Sequence, residues 1–162
     1  MVSIMNEALE LKIGHKVLEV GTGCGWHSAT IAEIVAPSDV PKEKWGRVYT
    51  VEIVSELAKQ ARRNLDDAGL RERVLVIDGD GSMGYKEKAP YDRVLATAAA
   101  PQVPPPLIQQ LTVGGVMVLP LGSAYLFQTL IRFRKIADSN ISKEDLGGVA
   151  FVPLTGRFGH NF

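Results

Sequence analysis

The stretch from Lys16 to Trp26, KVLEVGTGCGW, constrains the fold more than any other part of the chain. A short apolar run carries one acid, Glu19, and then breaks into three glycines at strict alternation, Gly21, Gly23 and Gly25. Glycine has no side chain and takes positive φ without strain, so such a backbone can approach a ligand closely. The pattern predicts a buried strand, a ligand-binding loop and then a helix, although an ordinary strand-to-helix turn is the alternative for the glycines alone.

The rest of the chain alternates strand and helix patterns. Helices are predicted at 2–11, 26–36, 55–68 and 104–111, with Ser55 as a cap, Gly69 as a stop and Gly114-Gly115 ending the last helix. Strands are predicted at 16–20, 48–51, 74–77, 91–97, 116–121, 127–135 and 149–154, with a loop at 37–47 and a polar turn at 138–143. Alternation implies parallel pairing with right-handed crossovers. We therefore expect an α/β, Rossmann-like fold with a seven-stranded, mostly parallel sheet and an antiparallel edge.

Length, charge and cysteine content narrow the class of protein. A chain of 162 residues is enough for one domain, 1–162, with a proper core. The formal net charge is zero, which gives no electrostatic case for nucleic acid or an anionic membrane. One cysteine, Cys24, permits no internal disulfide, and no apolar run reaches membrane-spanning length. We expect a cytoplasmic monomer with no nucleic-acid or membrane partner.

Four predicted strands end in unusual residues that would meet at one edge of a parallel sheet. These ends are the glycine loop, Glu52, Asp80-Gly81 and the stretch Thr97–Pro101. Ligands of such sheets bind beyond the carboxyl ends of the strands. Glu52 is predicted to accept hydrogen bonds from both ribose hydroxyls, which disfavours NADP; an exposed strand-end carboxylate is the alternative. Asp80 and Gly81 are predicted to read the edge of an adenine ring, with a plain Asp-Gly turn as the alternative.

The glycine spacing separates two classes of cofactor. A dinucleotide fingerprint has its third glycine three places after the second, whereas Gly25 follows Gly23 by only two. This tighter loop suits a ligand without a pyrophosphate, and we predict S-adenosylmethionine rather than NAD. Glu19 is expected either to order the loop by accepting its N–H groups or to engage the amino group of the cofactor through water.

Longer strings then resemble one family over almost the whole chain. VLEVGTGCGW, the GDG at 79–81, APYDRVLATAAAP at 89–101, QLTVGGVMVLPLG at 110–122 and VAFVPLTG at 149–156 occur in the order found in the protein-L-isoaspartate O-methyltransferase family. The resemblance implies a class I S-adenosylmethionine-dependent methyltransferase domain. It also implies transfer of a methyl group to the α-carboxylate of L-isoaspartyl residues in damaged peptides or proteins, which is a protein-repair reaction.

The resemblance also implies which residues bind the cofactor. The predicted set is Glu19, Gly21, Thr22, Gly23, Cys24, Gly25, Glu52, Ile53, Asp80, Gly81 and Thr155. Cys24 is expected to make its contact through the backbone, and His27 is expected to be a local hydrogen-bonding or surface residue. For Thr155 a plain strand-end hydroxyl is the alternative. No metal ligand is predicted.

No catalytic residue is assigned within this sequence. Family members carry a few dozen further residues before the point that matches Met1, and the serine assigned to their active site lies there in a Thr-Ile-Ser string. Ser3 falls inside the first predicted helix and does not replace it. Two other hypotheses therefore stay open: a non-catalytic cofactor-binding domain, and a methyltransferase for another substrate. The strip at 97–101 has no side chain suited to grip the amino group of a base, which disfavours a nucleic-acid substrate.

Overall fold

The computed structural model describes residues 1–161. Four α-helices are present, α1 (Val2–Ala8), α2 (Trp26–Val35), α3 (Ser55–Asp67) and α4 (Pro105–Gln109), with short 3₁₀ turns at Lys42–Lys44, Gly81–Met83 and Lys86–Lys88. The strands are β1 (Lys16–Val20), β2 (Arg47–Glu52), β3 (Val74–Asp78), β4 (Tyr91–Ala96), β5 (Leu111–Gly122), β6 (Gln128–Ala137) and β7 (Asn140–Val149).

The seven strands form one sheet in the order β3-β2-β1-β4-β5-β6-β7. Strands β1 to β5 pair in parallel, and β6 and β7 add antiparallel pairs at one edge. Chain order reverses between β1 and β4, which places a crevice at their carboxyl ends. The predicted fold class is confirmed.

Strands β1, β2 and β4 are buried on both faces over most of their length, which is why they read as largely apolar runs. Successive residues alternate between two hydrophobic clusters, so that Val17 packs with α2 and α3 while Leu18 packs on the opposite face. The first cluster includes Leu9, Ile31, Val35, Ala58 and Leu65, and the second includes Tyr49, Tyr91, Leu107, Leu111 and Met117. The sheet is therefore rigid at the edge where its strands end.

The predicted helix at 104–111 is shorter than expected. Helix α4 ends at Gln109, and Leu111 already begins β5 by pairing with Tyr91. The next register pair is Arg93 with Val116, so the residues between Leu111 and Val116 form a bulge in the strand. Gly114-Gly115 therefore allow an irregular strand, with Gly114 at φ +81°, and do not end a helix. Other helix and strand ends move by a few residues, including the first helix, which ends at Ala8.

The predicted last strand at 149–154 is wrong. The strand β7 runs from Asn140 to Val149, and the predicted polar turn at 138–143 shrinks to residues 138–139. No residue of strand β7 is buried: seven of its ten residues are exposed, and only Ile141, Leu146 and Val149 are partly buried. The strand therefore carries no continuous apolar pattern. Residues 150–154 leave the edge and return to the strand ends, where Pro153 forms an isolated parallel bridge with Ala99.

The predicted capping role of Ser55 is also wrong. The residue before helix α3 is Val54, which makes no side-chain cap, and the Ser55 hydroxyl instead donates to Asp78 Oδ1 at 3.1 Å. Within residues 1–161, no helix is long and apolar enough to cross a membrane.

Candidate ligand-binding site

A cavity of about 340 Å³ lies at the carboxyl ends of β1, β2 and β4. It contains six of the predicted residues, Gly21, Gly23, Glu52, Ile53, Gly81 and Thr155. Other lining residues include Val20, Val51, Leu57, Thr97 and Ala98, together with Val152, Pro153 and Leu154. Two of the predicted residues, Thr22 and Cys24, line a second cavity of about 280 Å³ that shares Gly21, Gly23 and Thr97 with the first. The strand ends therefore converge as predicted.

Two structures enclose the first cavity. The loop wall comprises residues 21–25 and 52–54, of which Gly21, Gly23 and residues 52–54 line the cavity. The C-terminal wall comprises residues 152–158, of which residues 152–155 line it. The loop wall comes from the first third of the chain, and the C-terminal wall from its last eleven residues. The two walls are held by different kinds of contact.

The loop wall is held by hydrogen bonds along its length. The Gly21 N–H donates to Val51 O at 2.9 Å, and the Thr97 hydroxyl donates to Gly21 O at 2.5 Å. The Asn64 side-chain amide donates to Cys24 O at 2.9 Å. Gly21 takes φ +92°, and a β-carbon there would overlap the Thr97 hydroxyl. The sequence places Thr97 at this edge of the sheet, but its hydrogen bond to the glycine loop was not predicted.

Glu52 joins strand β2 to the loop. Its side chain is 6% exposed; Oε2 accepts from the Gly23 N–H at 2.9 Å and Oε1 from the Val54 N–H at 3.0 Å. An ionised carboxylate offers about four acceptor sites, so about two remain. A ribose presents two hydroxyls, which is the number that Glu52 can still accept.

Glu19 does not contact the loop N–H groups, and that part of the expectation is wrong. It is fully buried beneath the loop, where Oε2 accepts from the hydroxyls of Ser28 and Thr50, the latter at 2.7 Å. Its other oxygen, Oε1, has no hydrogen-bond partner among the described residues. Burial raises the pKa of Glu19 to about 7, against the two hydroxyl hydrogen bonds, which lower it. The Thr50 hydroxyl also lies 2.7 Å from that of Thr22.

His27 is a buried hydrogen-bonding residue rather than a surface one. It is 7% exposed, and its Nε2–H donates to Asn6 Oδ1 at 2.9 Å. Burial and, to a smaller extent, the positive charge of the N-terminal amine together lower the pKa of His27 to about 4. The 3.9 Å separation between His27 Nδ1 and Glu19 Oε1 is therefore not an ion pair at neutral pH, because the imidazole is neutral.

Asp80 holds the C-terminal wall. Its Oδ1 accepts from the N–H of Ser82 at 2.9 Å and from the Ser82 hydroxyl at 2.7 Å, and its Oδ2 accepts from the Arg157 N–H at 2.8 Å. The Ser82 hydroxyl in turn accepts from the Phe158 N–H at 3.0 Å. Gly156, at φ +109°, lies so close that a β-carbon would overlap the Asp80 carboxylate. This contact between Asp80 and the chain end was not predicted.

The C-terminal wall also pairs with the strip after β4. The Ala99 N–H donates to Val152 O and the Leu154 N–H donates to Ala99 O, both at 2.8 Å. These bonds place Val152, Pro153 and Leu154 in the cavity, although sequence reasoning assigned them to an edge strand. The VPLTG string indicates an extended segment, but the sequence alone does not show which part of the sheet this segment pairs with.

Among residues 1–161, no group of three or more His, Cys, Asp and Glu side chains is arranged to hold a metal ion. Neither Glu19, Gly25 nor Asp80 lines the first or the second cavity. Gly25 is the N-cap residue directly before helix α2, at φ +89°, where a β-carbon would press on Leu65. These three predicted residues therefore support the walls in the structure as it stands.

Comparison with known proteins identifies the family. Residues 1–159 match the family model "Protein-L-isoaspartate(D-aspartate) O-methyltransferase". The chain belongs to this family. The protein-L-isoaspartate O-methyltransferase of Hyperthermus butylicus is 56% identical over 159 residues, which cover 98% of this chain and 66% of that protein. The enzyme of the same name from Korarchaeum cryptofilum is 53% identical, with 98% of this chain and 72% of that protein covered. The chain thus spans about two thirds of the length of these relatives.

Solved structures agree on the fold. A protein-L-isoaspartate O-methyltransferase superposes with a TM-score of 0.86 at 28% identity, over 98% of this chain and 47% of that one. A Plasmodium falciparum structure described as a protein-L-isoaspartate O-methyltransferase, in complex with S-adenosyl-L-homocysteine, superposes with a TM-score of 0.78 at 24% identity, covering 95% and 71%. The family fold therefore extends over nearly the whole chain.

Proposed function

We propose that this chain is the cofactor-binding domain of an S-adenosylmethionine-dependent protein-L-isoaspartate O-methyltransferase. Its reaction would methylate the α-carboxylate of L-isoaspartyl residues in damaged proteins. The observation that carries the proposal is Glu52, a buried carboxylate beside the glycine loop that retains acceptor sites for two hydroxyls. Membership of the family supports the substrate class.

The residues present fit the cofactor. A β-carbon on Gly23 would meet nothing within 4 Å, so this glycine leaves open space where the two cavities meet. The first cavity would take the adenosine, with Glu52 and Ile53 at the ribose and Asp80 and Gly81 near the adenine. Thr155 would close this side. Gly21, Thr22, Gly23 and Cys24 would face the amino-acid part of the cofactor, Gly25 would support the loop at the start of helix α2, and Glu19 would act from beneath the loop.

Methyl transfer to a carboxylate needs no proton-transfer group from the protein. The cofactor supplies a methyl group on a sulfonium, and an isoaspartyl α-carboxylate is already ionised at pH 7, so no strong general base is needed. The residues after β4 agree with this, because Thr97 and the three alanines that follow carry no ionisable side chain. What this chain would contribute is orientation and exclusion of water. Thr97 would take part only by holding Gly21 O.

We further propose that residues 1–162 act as one domain, as a monomer in the cytoplasm and on polypeptides rather than nucleic acids. The balanced charge supports this proposal, because a nucleic-acid-binding domain would be expected to carry a basic face.

Two measurements, carried out one after the other, test the proposal. Isothermal titration with S-adenosylhomocysteine should show one site per chain, and absence of binding would contradict the cofactor assignment. Methyl transfer from S-adenosylmethionine to an isoaspartyl peptide should exceed transfer to its aspartyl twin, which is the matched control. Binding without transfer to either peptide would instead favour a non-catalytic cofactor-binding domain.

A further inference from the structure

Three side chains form a buried hydrogen-bonded chain beneath the glycine loop. Glu19 Oε2 accepts from the Thr50 hydroxyl at 2.7 Å, and Thr50 Oγ1 lies 2.7 Å from Thr22 Oγ1. Glu19 and Thr50 are 0% exposed and Thr22 is 4% exposed. The chain thus runs from strand β1 through strand β2 into the loop wall.

The direction of the hydrogen bonds follows from the number of hydrogens. A hydroxyl carries one hydrogen, and that of Thr50 is donated to Glu19. Thr50 can therefore only accept from Thr22, so the Thr22 hydroxyl donates to Thr50. An ionised carboxylate at the end of such a chain strengthens both bonds by polarising them. The hydroxyl hydrogen of Thr22 is therefore donated to Thr50 on strand β2.

Thr22 lies in the most flexible part of the glycine loop. It lies between Gly21 at φ +92° and Gly23 at φ +56°, and glycines give the backbone more conformational freedom than any other residue. The backbone of Gly21 and that of Gly23 are each held by a hydrogen bond to the sheet. Only Thr22 adds a buried side-chain bond between these two flexible points.

We propose that Thr50 is a positioning residue that couples the buried Glu19 carboxylate to Thr22 and so holds the glycine loop in the shape that receives the cofactor. This inference rests on the proposed function, because it concerns the same site. It assigns Glu19 an indirect role, through two hydroxyls, in place of a direct contact with the loop N–H groups.

The surroundings of Glu19 make its titration a usable probe. From helix α2, Ser28 donates to the carboxylate and His27 Nδ1 stands 3.9 Å from Oε1. From strand β2, the charge of Glu52 raises the pKa of Glu19, and the neighbour on strand β4 is the apolar Leu95. The N-terminal amine acts on His27. Since burial lowers the pKa of His27 to about 4 and raises that of Glu19 to about 7, a change in affinity near neutral pH is expected from Glu19 and not from His27.

The test uses variants that differ in one hydroxyl. Thr50→Val keeps the shape of the side chain and removes the link, so the affinity for S-adenosylhomocysteine at pH 8 should fall about tenfold, the cost typical of a lost bond to a charged group. Thr50→Ser keeps the hydroxyl and should stay within about threefold of the unchanged protein. Thr129→Val on strand β6 is the control, because strands β4 and β5 separate this strand from β1 and the glycine loop.

A pH profile separates positioning from a purely structural role. In the unchanged protein, affinity should fall as the pH drops through about 7, because protonation of Glu19 weakens its bond to Thr50. In Thr50→Val the carboxylate is no longer linked to Thr22, so the affinity should no longer change with the protonation of Glu19. Thermal unfolding of each variant shows whether it is folded at the temperature of the titration.

The outcomes are distinct. If the unchanged protein does not bind S-adenosylhomocysteine, the proposed function and this inference both fail. If it binds, and Thr50→Val binds within twofold with the same pH profile, only the positioning role is overturned. Should Thr50→Val not fold, Thr22→Val removes the same bond from its other end. It should show the same loss, with recovery in Thr22→Ser, and unchanged affinity there would overturn the inference.

Discussion

The two walls of the first cavity come from different parts of the chain and are held by different contacts. The loop wall is formed next to the strands that support it, and its polar partners Thr50, Glu52 and Thr97 sit at or beside strand ends. The C-terminal wall arrives from the far end of the chain and depends on contacts to Ala99 and Asp80. One wall belongs to the rigid parallel sheet, and the other is a returning segment held by a few hydrogen bonds.

This difference predicts different responses to mutation. Loss of a partner in the loop wall should change ligand affinity while the sheet remains folded, because β1, β2 and β4 are buried on both faces. Loss of a partner in the C-terminal wall should release a segment and cost local order. Three predictions test this contrast.

The largest effect is expected from Glu52→Ala. The change removes the proposed ribose acceptor and the partner of the Gly23 and Val54 N–H groups, so affinity for S-adenosylhomocysteine should fall about 1000-fold, or about 4 kcal/mol. Isothermal titration measures the affinity, and circular dichroism should show a folded domain. Glu56→Ala is the matched control, because Glu56 lies on the exposed side of helix α3 and its ion-pair partner among residues 1–161 is Lys59. If Glu52→Ala bound S-adenosylhomocysteine as tightly as the unchanged protein, the ribose assignment would be refuted. The predicted difference between the loop wall and the C-terminal wall would then also be lost.

The sequence predicts the parallel half of the fold well because each of its strands is an apolar run followed by a helix or a turn. Strand β1 is found at the predicted bounds, and Glu52 and Gly81 lie in the cavity where the strand ends were expected to meet. The physical reason is that parallel strands buried on both faces leave a strong local pattern. Their carboxyl ends must then share one edge of the sheet.

The antiparallel edge and the chain end are predicted poorly for the opposite reason. Strand β7 is largely exposed, so residues such as Lys143, Glu144 and Asp145 carry no apolar signal. The VPLTG segment is apolar enough to be a strand, but its partner is Ala99, more than fifty residues earlier in the chain. The contact between Asp80 and Arg157 likewise depends on where the chain returns, which no local pattern contains.

The next largest effect concerns Glu19, beneath the loop wall. Its pKa is raised to about 7 in the folded protein, against a usual value of 4.5, so the folded state binds the proton more tightly than the unfolded state. Below pH 4.5 both states are protonated and the group costs nothing. As the pH rises to about 7, the burial of Glu19 lowers the free energy of unfolding by up to about 3 kcal/mol.

Glu19→Gln should therefore gain stability relative to the unchanged protein as the pH rises from 5 to 8. The comparison must be a difference, because His27 acts in the opposite sense: its pKa is lowered to about 4, so it costs stability as the pH falls below 6.5. Denaturant unfolding at several pH values measures both proteins. Ser28→Ala sharpens the test, since loss of a donor to Glu19 should extend the slope to higher pH. If the difference in free energy of unfolding between Glu19→Gln and the unchanged protein did not change with pH, Glu19 would not be the buried titrating group.

The smallest effect is expected from Gly156→Ala in the C-terminal wall. Alanine is strained at φ +109°, and its β-carbon would overlap the Asp80 carboxylate, so the segment should detach at a cost of about 2 kcal/mol. Limited proteolysis should cut near residue 157 faster, while affinity for S-adenosylhomocysteine falls less than in Glu52→Ala. Gly148→Ala on strand β7 is the control, because a β-carbon there meets nothing within 4 Å and φ is not positive. If Gly156→Ala weakened binding as much as Glu52→Ala, the two walls would have to act as one cooperative unit, held together through Asp80.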